Sequence, residues 1–232
     1  MLHPAEWSAS AEDQAAKLIR KVRDDYSVQL APIHVQHLDA FNQTQFRRVL
    51  SLDSDATVMK SMDELFLLPS APVAMPRAYW LDDTLSSQLM LVEPSLFEFR
   101  RILNAFEQRQ STDFDMEIVN ELYGNDCITI PHRKYDLLTG EFRATEHHRY
   151  LGSKEEKWDP EQVLNETKFV HFSDWPLPKP WLPHSEEQEL DFRPECRQTE
   201  EGEDCRDRDV WLGLYSDFAE RREPWLMFIG CR

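Results

Sequence analysis

The segment RRVLSLDSDATV, residues 47–58, combines an apolar run with two acidic residues that follow it. Its apolar run RVLSL, residues 48–52, follows a helix-like segment and is predicted to be a strand that is buried on both faces. A helix followed by such a strand is typical of a parallel sheet with helices packed on it, so the predicted class is α/β. In these sheets functional side chains gather just beyond the carboxyl ends of strands, where Asp53 and Asp55 lie.

Other elements follow from periodicity and from helix-start signals. Apolar residues at helical spacing predict helices at 11–25, 38–47, 61–68, 95–110, 114–123 and 207–222. Apolar runs predict strands at 28–35, 85–92, 127–131 and 168–172. Ser95 is expected to cap its helix, and Ser61 with Glu64 is expected to form a capping box. Residues 1–183 are predicted to form one α/β domain, with 184–232 as an acidic loop and helix appended to it.

Composition and charge exclude several classes of protein. The chain has 232 residues, 43 acidic and 26 basic, which gives a formal net charge of −17. This acidity argues against nucleic-acid and anionic-membrane partners, because phosphate binding needs clustered Lys and Arg. No stretch approaches the run of about 20 apolar residues that a bilayer span requires, and MLHPAEWSAS does not resemble a signal peptide. We therefore expect a soluble, acidic protein.

Two cysteines bear on the cellular compartment. Cys196 and Cys205 flank the polar stretch RQTEEGED, which cannot form a core by itself. A disulfide there would close a short loop and would suit an oxidising compartment. The alternative is two free thiols in a solvent-exposed tail. A zinc site is disfavoured, because no second Cys or His pair lies at ligand spacing.

The strand ends carry a candidate metal site. Asp53 and Asp55, one residue apart after a strand, can turn toward one hard cation such as Mg²⁺ or Mn²⁺, which would bridge to a diphosphate. The alternative is a solvated acidic turn. His171 follows KFV, residues 168–170, in a predicted buried strand and could complete the site, although a His in this setting is more often a hydrogen-bonded core residue.

Two further groups could bind substrate. Lys179 lies in PLPKPW, residues 176–181, as a lone cation suited to a phosphate, or else in a Pro/Trp lid that packs on the core. Asp113 and Asp115 precede or start a helix. They could orient a substrate hydroxyl, or they could be plain helix starters favoured by the macrodipole.

Four stretches together resemble one family. RRVLSLDSDATVMKSMDELF, LSSQLMLVEPS, DFDMEIVNELY and KFVHFSDWPLPKPW occur in the order seen in glycosyltransferase family 8, the glycogenin-like enzymes. The fuller match is to the fungal Golgi branch of glucose N-acetyltransferases, which are N-acetylglucosaminyltransferases. It runs from about residue 2 to the end of the chain and is far more specific than one D-x-D motif.

The resemblance implies roles for the candidate residues. Asp53, Asp55 and His171 would be the ligands of Mn²⁺ or Mg²⁺. Lys179 would contact the diphosphate of a UDP-sugar donor.

Three more residues match positions near the transferred sugar. Ser86 and Ser87 occupy the place of a polar pair, although the family's Asn-Ser-Gly reads Ser-Ser-Gln here. Asp115 matches an acidic residue that positions donor or acceptor hydroxyls.

The resemblance also implies a fold and a location. The fold would be GT-A, a Rossmann-like mixed sheet, with transfer that retains the anomeric configuration. Relatives carry a leading strand–helix–strand unit that holds uracil and ribose, and this chain is expected to begin after it, as a truncated form. Relatives are membrane-anchored in the Golgi, so the Golgi lumen is the expected compartment.

Three functions remain in competition at this point. The first is an enzyme that moves GlcNAc from UDP-GlcNAc to a glycan or glycoprotein acceptor. The second is a catalytically inactive relative that serves as a scaffold or partner in a glycosylation complex. The third is a secreted metal-dependent hydrolase with Asp113 or Asp115 as general base. The sequence does not fix the oligomeric state.

Overall fold

The computed structural model describes residues 2–4, 14–26, 31–33, 38–200 and 202–229. The strands are β1 (Leu2–Pro4), β2 (Ala31–Ile33), β3 (Val49–Leu52), β4 (Ala56–Val58), β5 (Val73–Pro76), β6 (Leu89–Val92), β7 (Ile128–Ile130), β8 (Leu137–Leu138), β9 (Phe169–His171), β10 (Arg197–Thr199) and β11 (Gly202–Asp204). The helices are α1 (Gln14–Tyr26), α2 (Leu96–Gln108), α3 (Asp115–Tyr123), α4 (His132–Tyr135), α5 (His148–Leu151), α6 (Pro160–Glu166), α7 (Glu186–Phe192) and α8 (Arg206–Ile229). Short 3₁₀ helices span Leu38–Asn42, Asp63–Leu67 and Thr139–Arg143.

Two mixed sheets form the frame. One has the strand order β3-β6-β5-β7, in which only β5 and β7 run parallel. The other has the order β4-β9-β8, with β4 antiparallel and β8 parallel to β9. The chain passes from the first sheet to the second between β3 and β4, so the intervening residues 53–55 sit where the two sheets meet.

Several predicted elements are observed with small changes of length. Helix α2 begins after Ser95, whose side chain accepts from the Glu98 amide at 3.1 Å, so the predicted cap is confirmed. The helix predicted at 38–47 is a 3₁₀ helix that ends at Asn42. Residues 28–30 and 34–35 of the predicted first strand lie outside the described part of the chain.

Two local predictions were wrong. The β3 strand is half-buried and antiparallel to β6, and no described strand pairs with its other edge. An apolar run of four residues does not identify its pairing partner, which explains the error. Ser61 and Glu64 form no capping box: Glu64 accepts instead from the Tyr135 hydroxyl at 2.6 Å.

The core has three apolar clusters. One lies between the first sheet and helices α2 and α3, and includes Phe41, Met90 and Tyr123. A second, around Leu65 and Phe169, joins the two sheets. The third packs β9 against helix α8 and includes Tyr150, Phe172, Trp211 and Tyr215. The predicted domain boundary at residue 183 stays a prediction, while α8 contributes side chains to this third cluster.

The C-terminal loop contains a disulfide. Cys196 and Cys205 are bonded, with β10 and β11 paired as an antiparallel hairpin between them. Among the described residues, no helix is long and apolar enough to cross a membrane.

Candidate functional site

The turn between β3 and β4 is tied to both sheets. The Asp53 amide donates to the Gln88 carbonyl at 2.9 Å, next to β6. The Asp55 carbonyl accepts from the Phe172 amide at 2.8 Å, just after β9. Backbone hydrogen bonds therefore hold the positions of both carboxylates.

His171 faces these carboxylates from the neighbouring strand. It lies opposite Ala56 in the β4–β9 ladder. Its Nε2 atom is 3.3 Å from Asp55 Oδ1 and 3.6 Å from Asp53 Oδ2. One potential ligand atom from each of the three residues lies within 4.8 Å of the others. Two carboxylates and an imidazole at this spacing fit an octahedral Mn²⁺ or Mg²⁺ ion.

Lys179 completes the charged cluster. Its Nζ atom lies 2.6 Å from Asp55 Oδ2 and donates to the Phe172 carbonyl at 2.8 Å. Burial acts to raise the pKa of Asp55, but hydrogen bonds from His171 and Lys179 outweigh it and hold that pKa well below its usual range. The carboxylate is therefore ionised at neutral pH, the form that binds a metal.

Ser86 and Ser87 lie just before β6, on the side of the site that Asp53 occupies. Both are buried, Ser86 completely. The Ser86 amide donates to the Pro76 carbonyl at 2.8 Å, and its hydroxyl accepts from the Gln88 amide at 3.3 Å. Because Gln88 also bonds the Asp53 amide, the serine pair is part of the same backbone network.

The predicted acidic pair, Asp113 and Asp115, lies at the start of helix α3. Asp115 is the first residue of α3, and the Asp113 carboxylate accepts from the Gln110 amide at 2.8 Å in the preceding turn. This hydrogen bond stays within the turn that precedes α3 and does not involve Asp53, Asp55 or His171. Helix α3 is docked by Asn120, whose amide group bonds the Leu85 amide and carbonyl at 2.8 and 2.7 Å.

Asp136 is a buried acid that sequence reasoning did not find. It is fully buried, and no described group makes a hydrogen bond of good geometry to either carboxylate oxygen. Burial raises its pKa to about 8, while the Ser86 hydroxyl opposes the rise and the Asp53 carboxylate adds to it. A single acid directly before the apolar pair at residues 137–138 was the signal in the sequence.

Curated relatives decide the family. A scan against protein-family models finds no match. Glucose N-acetyltransferase 1 of Gibberella zeae is 48% identical over 250 residues, which cover 99% of this chain and 54% of the relative. Glucose N-acetyltransferase 1 of Aspergillus fumigatus is 39% identical, over 96% of this chain and 67% of the relative. The chain belongs to the glucose N-acetyltransferase 1 family. It spans about half the length of the Gibberella zeae member.

Solved structures show the fold of this family member. Glycosyltransferase GlyE of Streptococcus pneumoniae matches 95% of this chain and 56% of its own, with a TM-score of 0.55 and 14% identity. The WbbM bifunctional glycosyltransferase matches 93% of this chain and 43% of its own, with a TM-score of 0.55 and 13% identity. The GT-A fold predicted from the sequence is confirmed, and so is the predicted family.

Proposed function

We propose that this chain is the donor-binding part of a metal-dependent glycosyltransferase that moves GlcNAc from UDP-GlcNAc to a glycan acceptor. The observation that supports the proposal is that Asp53, Asp55 and His171 each place a potential ligand atom within 4.8 Å of the others. Lys179 forms an ion pair with the Asp55 carboxylate. The names of the relatives support a role in transfer chemistry.

The three clustered side chains would hold Mn²⁺. Asp53 and Asp55 offer oxygen atoms and His171 offers Nε2, all fixed by the two sheets. When bound, the ion supplies Lewis-acid stabilisation of the negative charge on a leaving diphosphate. The chain's own contribution is to hold the backbone of Asp53 and Asp55 in place through hydrogen bonds to both sheets.

Lys179 would hold the donor diphosphate. Its ammonium group already lies against an ionised carboxylate at the site, so a second anion beside it would meet a fixed positive charge. Charge that develops on the diphosphate as the sugar leaves is thereby stabilised without reorganisation. Ser86 and Ser87 would border the transferred sugar.

Transfer would occur on the face from which the diphosphate leaves. The donor sugar passes through an oxocarbenium-like state, as in glycoside hydrolysis. Asp115, with Asp113 near it, would orient a sugar hydroxyl rather than attack the anomeric carbon. A trapped glycosyl adduct on Asp115 would contradict this route.

The proposed compartment is the Golgi lumen. The disulfide between Cys196 and Cys205 supports an oxidising compartment, because cytosolic thiols are kept reduced. A glycan or glycoprotein acceptor would be met there.

Release of UDP from UDP-GlcNAc tests the proposal. We expect wild-type protein to release UDP only when Mn²⁺ or Mg²⁺ is present, and Asp55→Asn to be slowed by about 100-fold through loss of a metal ligand. Asp63→Asn, the same change at an exposed acid after β4, is the matched control and should keep wild-type turnover. Wild-type protein that is folded yet releases no UDP would favour the inactive-partner alternative.

A further inference from the structure

Trp175 exposes its indole ring to solvent. Its side chain is 81% exposed. Four other tryptophans have side chains whose burial the structure describes, and these are buried or half-buried: Trp80, Trp158, Trp181 and Trp211. An indole offers one of the largest apolar surfaces of any side chain, so leaving it in water forgoes the free energy that burial would give. Such exposure is typical of residues that a ligand covers.

The ring stands on a loop whose two ends belong to the candidate site. His171 lies four residues before Trp175 and Lys179 four residues after it, and both contact Asp55. Four residues of extended chain span at most about 14 Å. The Cα atom of Trp175 therefore lies within about 14 Å of the Cα atoms of His171 and Lys179, so the loop that carries the ring borders the candidate site.

The backbone on both sides of the ring is fixed. The Asp174 carboxylate is buried and accepts hydrogen bonds from four side chains: Thr139, Arg143, Trp211 and Tyr215. The Leu177 amide donates to the Asp174 carbonyl at 2.8 Å, and the Leu177 side chain is buried. The loop therefore holds the backbone of Trp175 in one position. A binding surface that is already ordered loses less conformational entropy when a ligand binds.

The surroundings of the ring point to the chemistry of its ligand. Next to Trp175 in the chain, the buried Asp174 carboxylate is taken up by four side-chain donors, and the Ser173 hydroxyl accepts from the Gly140 amide at 3.0 Å. A pyranose ring has one face of C–H bonds with partial positive charge, which pack against the electron-rich face of an indole.

We propose that Trp175 is the platform on which a pyranose ring of the acceptor glycan stacks. This inference rests on the proposed transferase function and adds the acceptor side of the same site. The exposed indole face provides the binding contact, and the C–H face of a neutral sugar is complementary to it.

Saturation-transfer NMR with simple glycosides tests this platform. The probes are methyl α-D-glucopyranoside, methyl α-D-mannopyranoside and methyl β-D-galactopyranoside, with Mg²⁺ in place of paramagnetic Mn²⁺ and with or without UDP. We expect at least one probe to bind wild-type protein and to bind Trp175→Ala about tenfold more weakly. Trp175→Tyr should restore most of the affinity, because it restores an aromatic face.

A matched control separates this effect from the loss of any exposed aromatic side chain. Phe97→Ala removes a 68% exposed ring on α2 and should leave glycoside binding unchanged. Equal binding by wild type and Trp175→Ala, or no binding of any probe to wild type, would overturn the proposal.

UDP affinity in Mg²⁺ separates the two proposals. We expect Trp175→Ala to bind UDP as wild type does. A tenfold loss of UDP affinity would show that the ring stacks on the base instead, and would also overturn the platform. If wild type binds no UDP, the proposed donor site fails, while the glycoside comparison without UDP still decides the role of Trp175.

Discussion

The buried carboxyl group of Asp136 gives the protein a pH dependence of definite sign. Burial raises its pKa to about 8 in the folded state, above its ordinary value of 3.8. Between these two values the unfolded chain has lost the proton and the folded chain still holds it. The unfolded state then binds fewer protons, so the free energy of unfolding falls as the pH rises from about 4 to about 8.

Asp136→Asn should remove this dependence. The amide has the shape of the protonated acid and does not ionise, so the variant should match wild type at about pH 3, below both pKa values. It should then gain relative stability by up to about 1.4 kcal/mol per pH unit until about pH 8. Urea unfolding at several pH values measures the difference. A difference that does not change between pH 5 and 8 would show that Asp136 is ionised in the folded protein.

The positions of the site residues were partly predictable. Asp53, Asp55 and His171 directly follow or end short apolar runs, and strand ends lie close together in a sheet. Their role as metal ligands stays a prediction. Asp136 was not predicted, because its burial depends on packing between segments that are distant in sequence, and a local sequence pattern does not reveal such packing.

Asp174 is the residue through which helix α8 holds the loop after β9. Its buried carboxylate accepts from the Trp211 indole at 3.0 Å and from the Tyr215 hydroxyl at 2.9 Å. Burial and this carboxylate raise the pKa of Tyr215, so its hydroxyl stays a donor throughout the physiological range.

Asp174→Ala should be strongly destabilising. It leaves the Arg143 charge and several buried donors without their acceptor, for which we expect a loss of about 3–5 kcal/mol in the free energy of unfolding. Asp217→Ala, on helix α8, is the control, because its exposed pair with Arg221 is worth less than about 1 kcal/mol. Equal losses in the free energy of unfolding for the two variants, measured with urea, would contradict this role of Asp174.

Local signals predicted helices better than strand pairing. The α2 helix was predictable because its cap and its apolar spacing are encoded within about fifteen residues. The β3 strand was predictable as a strand, yet its antiparallel partner lies some forty residues away in sequence. Pairing direction and edge position depend on such distant contacts, which a single sequence does not reveal.

The net charge of −17 acts on the whole molecule. Self-repulsion of this size destabilises the compact state, and salt screens it. We expect the Tm to rise as NaCl increases from about 10 to about 150 mM. The rise should be about 2–4 °C for each kcal/mol that screening adds to the free energy of unfolding. Choline chloride should act equally if ionic strength is the cause. A Tm that falls in both salts would show that attractive ion pairs dominate.

The proposed function depends on a divalent cation that is bound by Asp53, Asp55 and His171 and that binds the donor diphosphate. A thermal-unfolding scan with Mn²⁺, with and without UDP-GlcNAc, tests it most directly in wild type and Asp55→Asn. Ligand at about 100 times its Kd should add about 2.7 kcal/mol to wild type, a rise in Tm of about 5–10 °C, and nothing to the variant. An equal rise in the Tm of both proteins, or no rise in the Tm of folded wild type, would contradict metal-dependent donor binding at this site.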